Sequence, residues 1–179
     1  MGFTHPGCRI QNGVDGCFSL FRYDGLFKKV LQQSKYFGAW NVLVDLLSFP
    51  YPQFSHIMKE WNKLYKPHIQ SVPLHPHRLR ERGFNQSDII KNTLFSTHST
   101  NHLPLLERVI HTEHLANIGN KVRRGRHIRN AFSYMGGEPP KATLLIDDVI
   151  TSGSTIAECA RTLKEVGVQT VLAFSLAKG

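Results

Sequence analysis

Two adjacent carboxylates, Asp147 and Asp148, close the most strand-like run of the chain, Ala142-Thr143-Leu144-Leu145-Ile146. They are followed by Val149-Ile150 and then by five small or hydroxylated residues, Thr151-Ser152-Gly153-Ser154-Thr155. The apolar run predicts a buried strand over 142–146, which would carry both acids to its C-terminal end. Ligands of open α/β sheets bind at that end. The loop over 149–154 is rich enough in small residues for backbone N–H groups to converge on an anion, and its hydroxyls add donors. An amphipathic helix follows through Ile156, Cys159, Ala160, Leu163 and Val166 and stops at Gly167. Its partly positive N-terminus faces the same spot. Phosphate in the loop and hydroxyls on the acids together describe a sugar phosphate. Repulsion between the carboxylates is relieved if ribose hydroxyls donate to them and Mg²⁺ lies nearby. The competing reading makes the pair a solvated loop entry and Thr155-Ile156-Ala157-Glu158 a capping box. The string is neither a Walker loop nor a Rossmann glycine turn.

Basic residues form two further groups. Ile69–Val72 predicts a short strand that runs into a Pro- and Arg-rich turn over 73–83, and a helix follows from about Asn85 to Phe95. The turn would hold His77 and Arg78 near the pocket. Arg78, Arg80 and Arg82 alternate around Glu81, so they cannot all face one ligand. Arg78 is the preferred contact, and Arg82 is assigned to anchoring Gly83-Phe84-Asn85-Gln86; a solvated arginine-rich loop is the alternative. Of the ten histidines, His75-x-His77 has the best metal-ligand spacing, but a turn contact with phosphate suits it better. Residues 114–137 contain no acid and hold Lys121, Arg123, Arg124, Arg126 and Arg129. This stretch can close over an anion and stabilise leaving charge. It can equally line a salt-sensitive groove for single-stranded nucleic acid, or be an exposed basic helix without a ligand.

The elements that must position these groups are legible in outline. Leu105–His111 predicts a second strand and Gln169–Leu176 a closing one, so strands and helices alternate as in a parallel sheet with helices on its faces. Ahead of residue 67 the chain is irregular to about 23, with one short strand over Phe18–Tyr23, and then helical. Phe54, Ile57, Met58, Trp61, Leu64 and Tyr65 share a helix face that ends at Pro67. The division expected is 1–66, irregular then helical, and 67–179, an α/β domain. With 179 residues, 41% hydrophobic, the chain can bury a real core. Lys and Arg outnumber Asp and Glu by 22 to 13, a charge of +9 that calls for anionic partners. No run of 18 apolar residues and no signal-peptide layout occurs, so a soluble, cytoplasmic protein without a membrane span is expected. Three scattered cysteines do not make a disulfide scaffold. Cys17 and Cys159 read as packing residues.

Leu145–Thr155 resembles the phosphoribosyl-pyrophosphate (PRPP) signature of type I phosphoribosyltransferases, in which two acids precede a Thr/Ser-Gly-x-Thr turn. Val72–Gln86 is similar to the corresponding string of the ComF group (competence protein F, ComFC and GntX-like proteins). Arg129-Asn130-Ala131-Phe132 and Phe21-Arg22-Tyr23-Asp24-Gly25 extend the likeness over most of the chain. The resemblance implies a phosphoribosyltransferase-like parallel sheet flanked by helices, with an N-terminal helical segment. It implies PRPP binding with Mg²⁺ through Asp147, Asp148, Val149, Ile150, Thr151, Ser152, Gly153, Ser154 and Thr155, with Asp147 and Asp148 as the catalytic candidates. His77, Arg78, Arg123, Arg124 and Arg126 would meet pyrophosphate or close over it. The acceptor of the phosphoribosyl group is not specified. The group's biological link is to DNA uptake, which leaves a second reading: a catalytically inactive member that binds single-stranded DNA. A homo-oligomer or a partner in the competence machinery stays open. The group usually carries Thr-x-x-Gln where this chain has Thr112-Glu113-His114-Leu115, and an Asn where His127 stands. Its members often begin with a four-cysteine zinc module. Here only Cys8, with His5, stands in a plausible ligand position, so no structural zinc and a shortened N-terminus are expected.

Overall fold

Strand β5 (Ala142–Ile150) is the axis around which the other elements are arranged. The structure is a computed structural model, and it describes residues 13–34, 40–95, 103–111 and 128–179, the side chains of Leu26 and Trp40 excepted. Before β5 come β1 (Gly16–Arg22), α1 (Gly25–Ser34), α2 (Trp40–Leu47), α3 (Pro52–Tyr65), β2 (His68–Ser71), α4 (Pro76–Arg82), α5 (Gln86–Leu94), β3 (Leu106–Arg108) and β4 (Phe132–Tyr134). After it come α6 (Ser154–Glu165) and β6 (Thr170–Lys178). Strands β1, β6, β5 and β2 lie in that order, all parallel. This is the α/β architecture, a parallel sheet flanked by helices, that the sequence predicts. No described helix is long and apolar enough to cross a membrane.

A parallel sheet needs both faces covered, and alternate residues of β5 serve the two faces. Leu145 packs with Ala173 of β6 and with Ile156, Cys159 and Leu163 of α6. Leu144 and Ile146 pack on the other face with Phe174, Ile90 of α5, and Phe54 and Met58 of α3. The rings of Phe54, Phe95 and Phe174 meet at 5.0–5.8 Å. Each fully buried Leu, Ile or Phe contributes roughly 1.5–3 kcal/mol of transfer free energy, so this double-sided core supports β5 and whatever its end carries. Cys17 and Cys159 are both buried, as expected of packing residues.

Four expectations are corrected. First, β5 does not end at Ile146. Asp147 stays in register with Ser175, Val149 with Ala177 and Ile150 with Lys178, because β6 runs on beside it. The loop is thereby reduced to Thr151–Gly153, between β5 and α6. Second, the stretch at 105–111 makes only a three-residue strand, antiparallel to β4 in a separate ribbon, and adds nothing to the parallel sheet. Third, the turn at 73–83 contains a helix, α4: Pro76 supplies a preset φ at its start, and His75 caps it by accepting the His77 N–H at 3.2 Å. Fourth, the N-terminal strand expected over Phe18–Tyr23 spans Gly16–Arg22 instead, and it joins the parallel sheet beside β6.

Candidate functional site

The end of β5 meets three other chain segments. Strand β2 stops level with Ile146, and Val72 N–H still donates to the Ile146 carbonyl at 2.8 Å before the chain leaves the sheet. Asp147 is therefore the first residue of β5 beyond its shorter neighbour. The first turn of α5 covers this step. Asn85 caps α5 by accepting the Ser87 N–H, and its amide donates to the Val72 carbonyl at 3.0 Å. Two hydroxyl–carboxylate contacts then cross the junction. Ser71 donates to Asp88, and Ser87 donates to Asp147 Oδ1 at 3.3 Å. The Asp148 N–H also donates to Asp147 Oδ1, at 2.9 Å. Asp147 is thus held from the α5 side while its strand is held by the core.

Asp147 lines a shallow polar pocket of about 30 Å³ with Thr151, Ser152, Gly153, Ser154 and Thr155; Asp148 does not line it. Val149 and Ile150, which also line the pocket, pack into the two apolar cores. Gly153 caps α6 with φ +76°, a left-handed conformation that a residue with a Cβ resists. This turn folds the loop back over the helix N-terminus, and the Ser152 and Ser154 hydroxyls meet at 2.9 Å. The pocket combines a carboxylate, hydroxyls and a helix N-terminus at the C-terminal end of a parallel strand.

The capping box does not form. Glu158 instead accepts the Asn130 N–H at 2.5 Å and two contacts from Arg161 at 2.6 and 3.0 Å. Burial acts most strongly on Glu158 and raises its pKa, but the Arg161 and Asn130 bonds with the Arg161 and Arg129 charges outweigh it, and the net shift is downward. Asn130 itself is left-handed, with φ +59°. This cluster clamps the turn before β4 to α6.

The basic side of the site is a rim rather than a pocket wall. His77 and Arg78 lie on α4, where Glu81 lies within 3.4 Å of the His77 ring and 3.3 Å of Arg78. Arg82 reaches Gln86 at 3.4 Å, in keeping with its assigned anchoring role. Sequence reasoning missed Arg108. This half-buried side chain on β3 places its guanidinium 5.5 Å from the Phe132 ring centre. Its pKa is lowered mainly by burial; Cys159 and Asp147 oppose that shift, and Arg78 and Arg82 add to it. Arg108 therefore feels both the carboxylate and the rim. Arg123, Arg124 and Arg126 lie outside the described residues, as do His5 and Cys8.

Hard oxygen donors at Asp147, Asp148 and the loop hydroxyls suit Mg²⁺, which is usually bound by one or two carboxylates together with substrate phosphates. Among the described residues no set of three His, Cys, Asp or Glu side chains is arranged for a metal ion. Mg²⁺ would therefore complete its shell with oxygens brought by a phosphorylated ligand. A larger cavity of about 170 Å³ lies between α3, α5 and the start of β2, lined by Phe54, Met58, Trp61, Ile69 and Phe95. It carries no carboxylate or imidazole.

No family model matches the chain. Competence protein F of Haemophilus influenzae is 34% identical over 97% of this chain and 83% of its own length. Competence protein ComFC of Streptococcus pneumoniae is 29% identical over 89% of this chain and 67% of its own. The DNA utilization protein YhgH of Escherichia coli O157:H7 is 34% identical over 62% of this chain and 48% of its own. With a parallel α/β sheet bearing the acid pair on an inner strand, and a relative this similar over nearly the whole of this chain, the chain belongs to the ComF family.

Proposed function

We propose that this protein binds PRPP with Mg²⁺ and transfers its phosphoribosyl group to an acceptor, in a role connected with DNA uptake. The observation that carries the reading is the Asp147 carboxylate lining the Thr151–Thr155 pocket at the N-terminus of α6. In this reading the loop N–H groups and hydroxyls hold the 5-phosphate, and Asp147 and Asp148 accept from ribose hydroxyls. Pyrophosphate leaves the anomeric carbon as positive charge develops there, and Arg78 and Arg108 offset the charge of the leaving group. When bound, Mg²⁺ would supply further neutralisation of pyrophosphate oxygens. Most of the rate enhancement then comes from position and preset charge, with Asp147 or Asp148 able to act as a base. The names of the relatives, which concern competence and DNA utilization, support the biological half of the proposal.

Calorimetric titration of the folded protein with PRPP and Mg²⁺ tests it. Saturable binding is expected, and replacing Asp147 and Asp148 together by Ala should weaken it at least about 100-fold, since each charge-assisted hydrogen bond contributes roughly 1.5–3 kcal/mol. No binding to the folded wild type would refute the reading. The exposed basic rim and the DNA-related relatives favour one alternative, a member that binds single-stranded DNA without transfer. It predicts affinity that falls steeply with salt, depends on Arg123, Arg124 and Arg126, and is indifferent to the Asp pair.

A further inference from the structure

Three imidazoles from two separate segments converge on the basic rim. The His111 ring, just beyond β3, lies 4.9 Å from that of His75 and 4.7 Å from that of His77. Such a group in a cationic neighbourhood is costly to protonate unless an anion is present. Around it, α4 places Arg78, Arg80 and Glu81, and β3 places Arg108. Glu81 faces His77 and Arg78 together, so one carboxylate is set against three imidazoles and three arginines. The rings do not form a metal-ligand set.

The hydrogen bonds restrict which nitrogens are available. His75 Nδ1 accepts the His77 N–H, so in its capping state His75 is neutral at Nδ1 and presents Nε2–H outward. His77 Nδ1 faces Glu81 at 3.4 Å, which leaves its Nε2 as the outward atom. His111 stands between the two. The pKa of His75 is lowered by partial burial first and then by His111, Arg108, His77 and Arg80. An anion seated among these groups reverses the electrostatic part of that shift.

We infer that His75, His77 and His111 form a proton-coupled clamp for a pyrophosphate-class anion, which binds with net uptake of protons and more tightly as the pH falls. The inference rests on the pyrophosphate half of the function proposed above and adds a regulation of that same site. The sign follows from linkage. An anion bound against the imidazoles favours their charged form, so binding takes up protons and acidification favours the bound state. A gain of one proton across the window where imidazoles titrate corresponds to about a tenfold rise in affinity per pH unit.

The test titrates the full chain with inorganic pyrophosphate at three pH values from about 6 to 8, the range in which histidine changes charge. Two buffers of different ionisation heat give the number of protons taken up. A variant carrying His75→Asn, His77→Gln and His111→Gln reports the anion's own titration, with Asn retaining a capping oxygen at the head of α4. The single variant His111→Gln leaves α4 untouched should the triple variant fold poorly. Wild type should tighten up to about 100-fold more than the triple variant over this range and take up more protons, with His111→Gln between them. Identical pH profiles and proton counts in wild type and both variants would overturn the inference while leaving pyrophosphate binding intact. Absence of pyrophosphate binding at every pH would overturn both the clamp and the pyrophosphate half of the proposed function.

Discussion

The acidic and basic sides of this site are built by different means. Asp147 stands on a strand whose preceding residues, Leu144, Leu145 and Ile146, are almost fully buried, and its loop is set by one left-handed glycine. The cations stand on α4, a helix of seven residues with no buried side chain, and on the short β3–β4 ribbon. In the first region the core determines where the carboxylate lies. In the second, a capping imidazole and a few partly exposed contacts do so. Precise placement is thus concentrated where ribose hydroxyls would need directional hydrogen bonds. Charge, whose attraction falls off slowly with distance, is entrusted to the less constrained surface.

Three substitutions break or sharpen this contrast. The largest effect is expected at Leu145→Ala on the core side, which should destabilise the protein by about 2–5 kcal/mol. Denaturant unfolding checks this, and a loss below about 1 kcal/mol would deny that the core supports the acid arm. Next comes Gly153→Ala. Forcing a Cβ into the left-handed turn costs roughly 1–2 kcal/mol. PRPP affinity should fall along with stability, because the strained residue is the loop itself; a calorimetric affinity equal to wild type would show that the loop is not the phosphate cradle. The smallest effect on stability belongs to Arg78→Ala, since a partly exposed ion pair is worth about 0–1 kcal/mol. Its unfolding midpoint should barely move, whereas pyrophosphate affinity and its salt dependence should both decrease. A stability loss as large as that of Leu145→Ala would erase the distinction between the two regions.

Much of this was readable from residue order. The apolar run at 142–146 announced the central strand, and Ile156, Cys159 and Leu163 at helical spacing announced the helix packed on it. What escaped had a common cause. The continuation of β5 through Asp147 and Asp148 depends on the unbroken partner β6, which a local reading of polar residues cannot see. Helix α4 escaped because its prolines and arginines read as a turn, although Pro76 suits a first helical turn. The contacts of Ser71 with Asp88 and Ser87 with Asp147 join residues far apart in the chain, and neither pair has a spacing motif.

By itself the sequence determined the identity of the chemistry: a carboxylate pair, a small hydroxyl-rich turn and a surplus of cations, all local patterns in which neighbouring residues share one element. Tertiary structure alone decided which carboxylate lines the loop pocket, that Arg108 feels both Asp147 and the rim arginines, and that His111 meets His75 and His77. The reason is geometric. Strand register and the docking of β3 against β4 bring together groups separated by tens of residues, and nothing in their local sequence encodes that proximity.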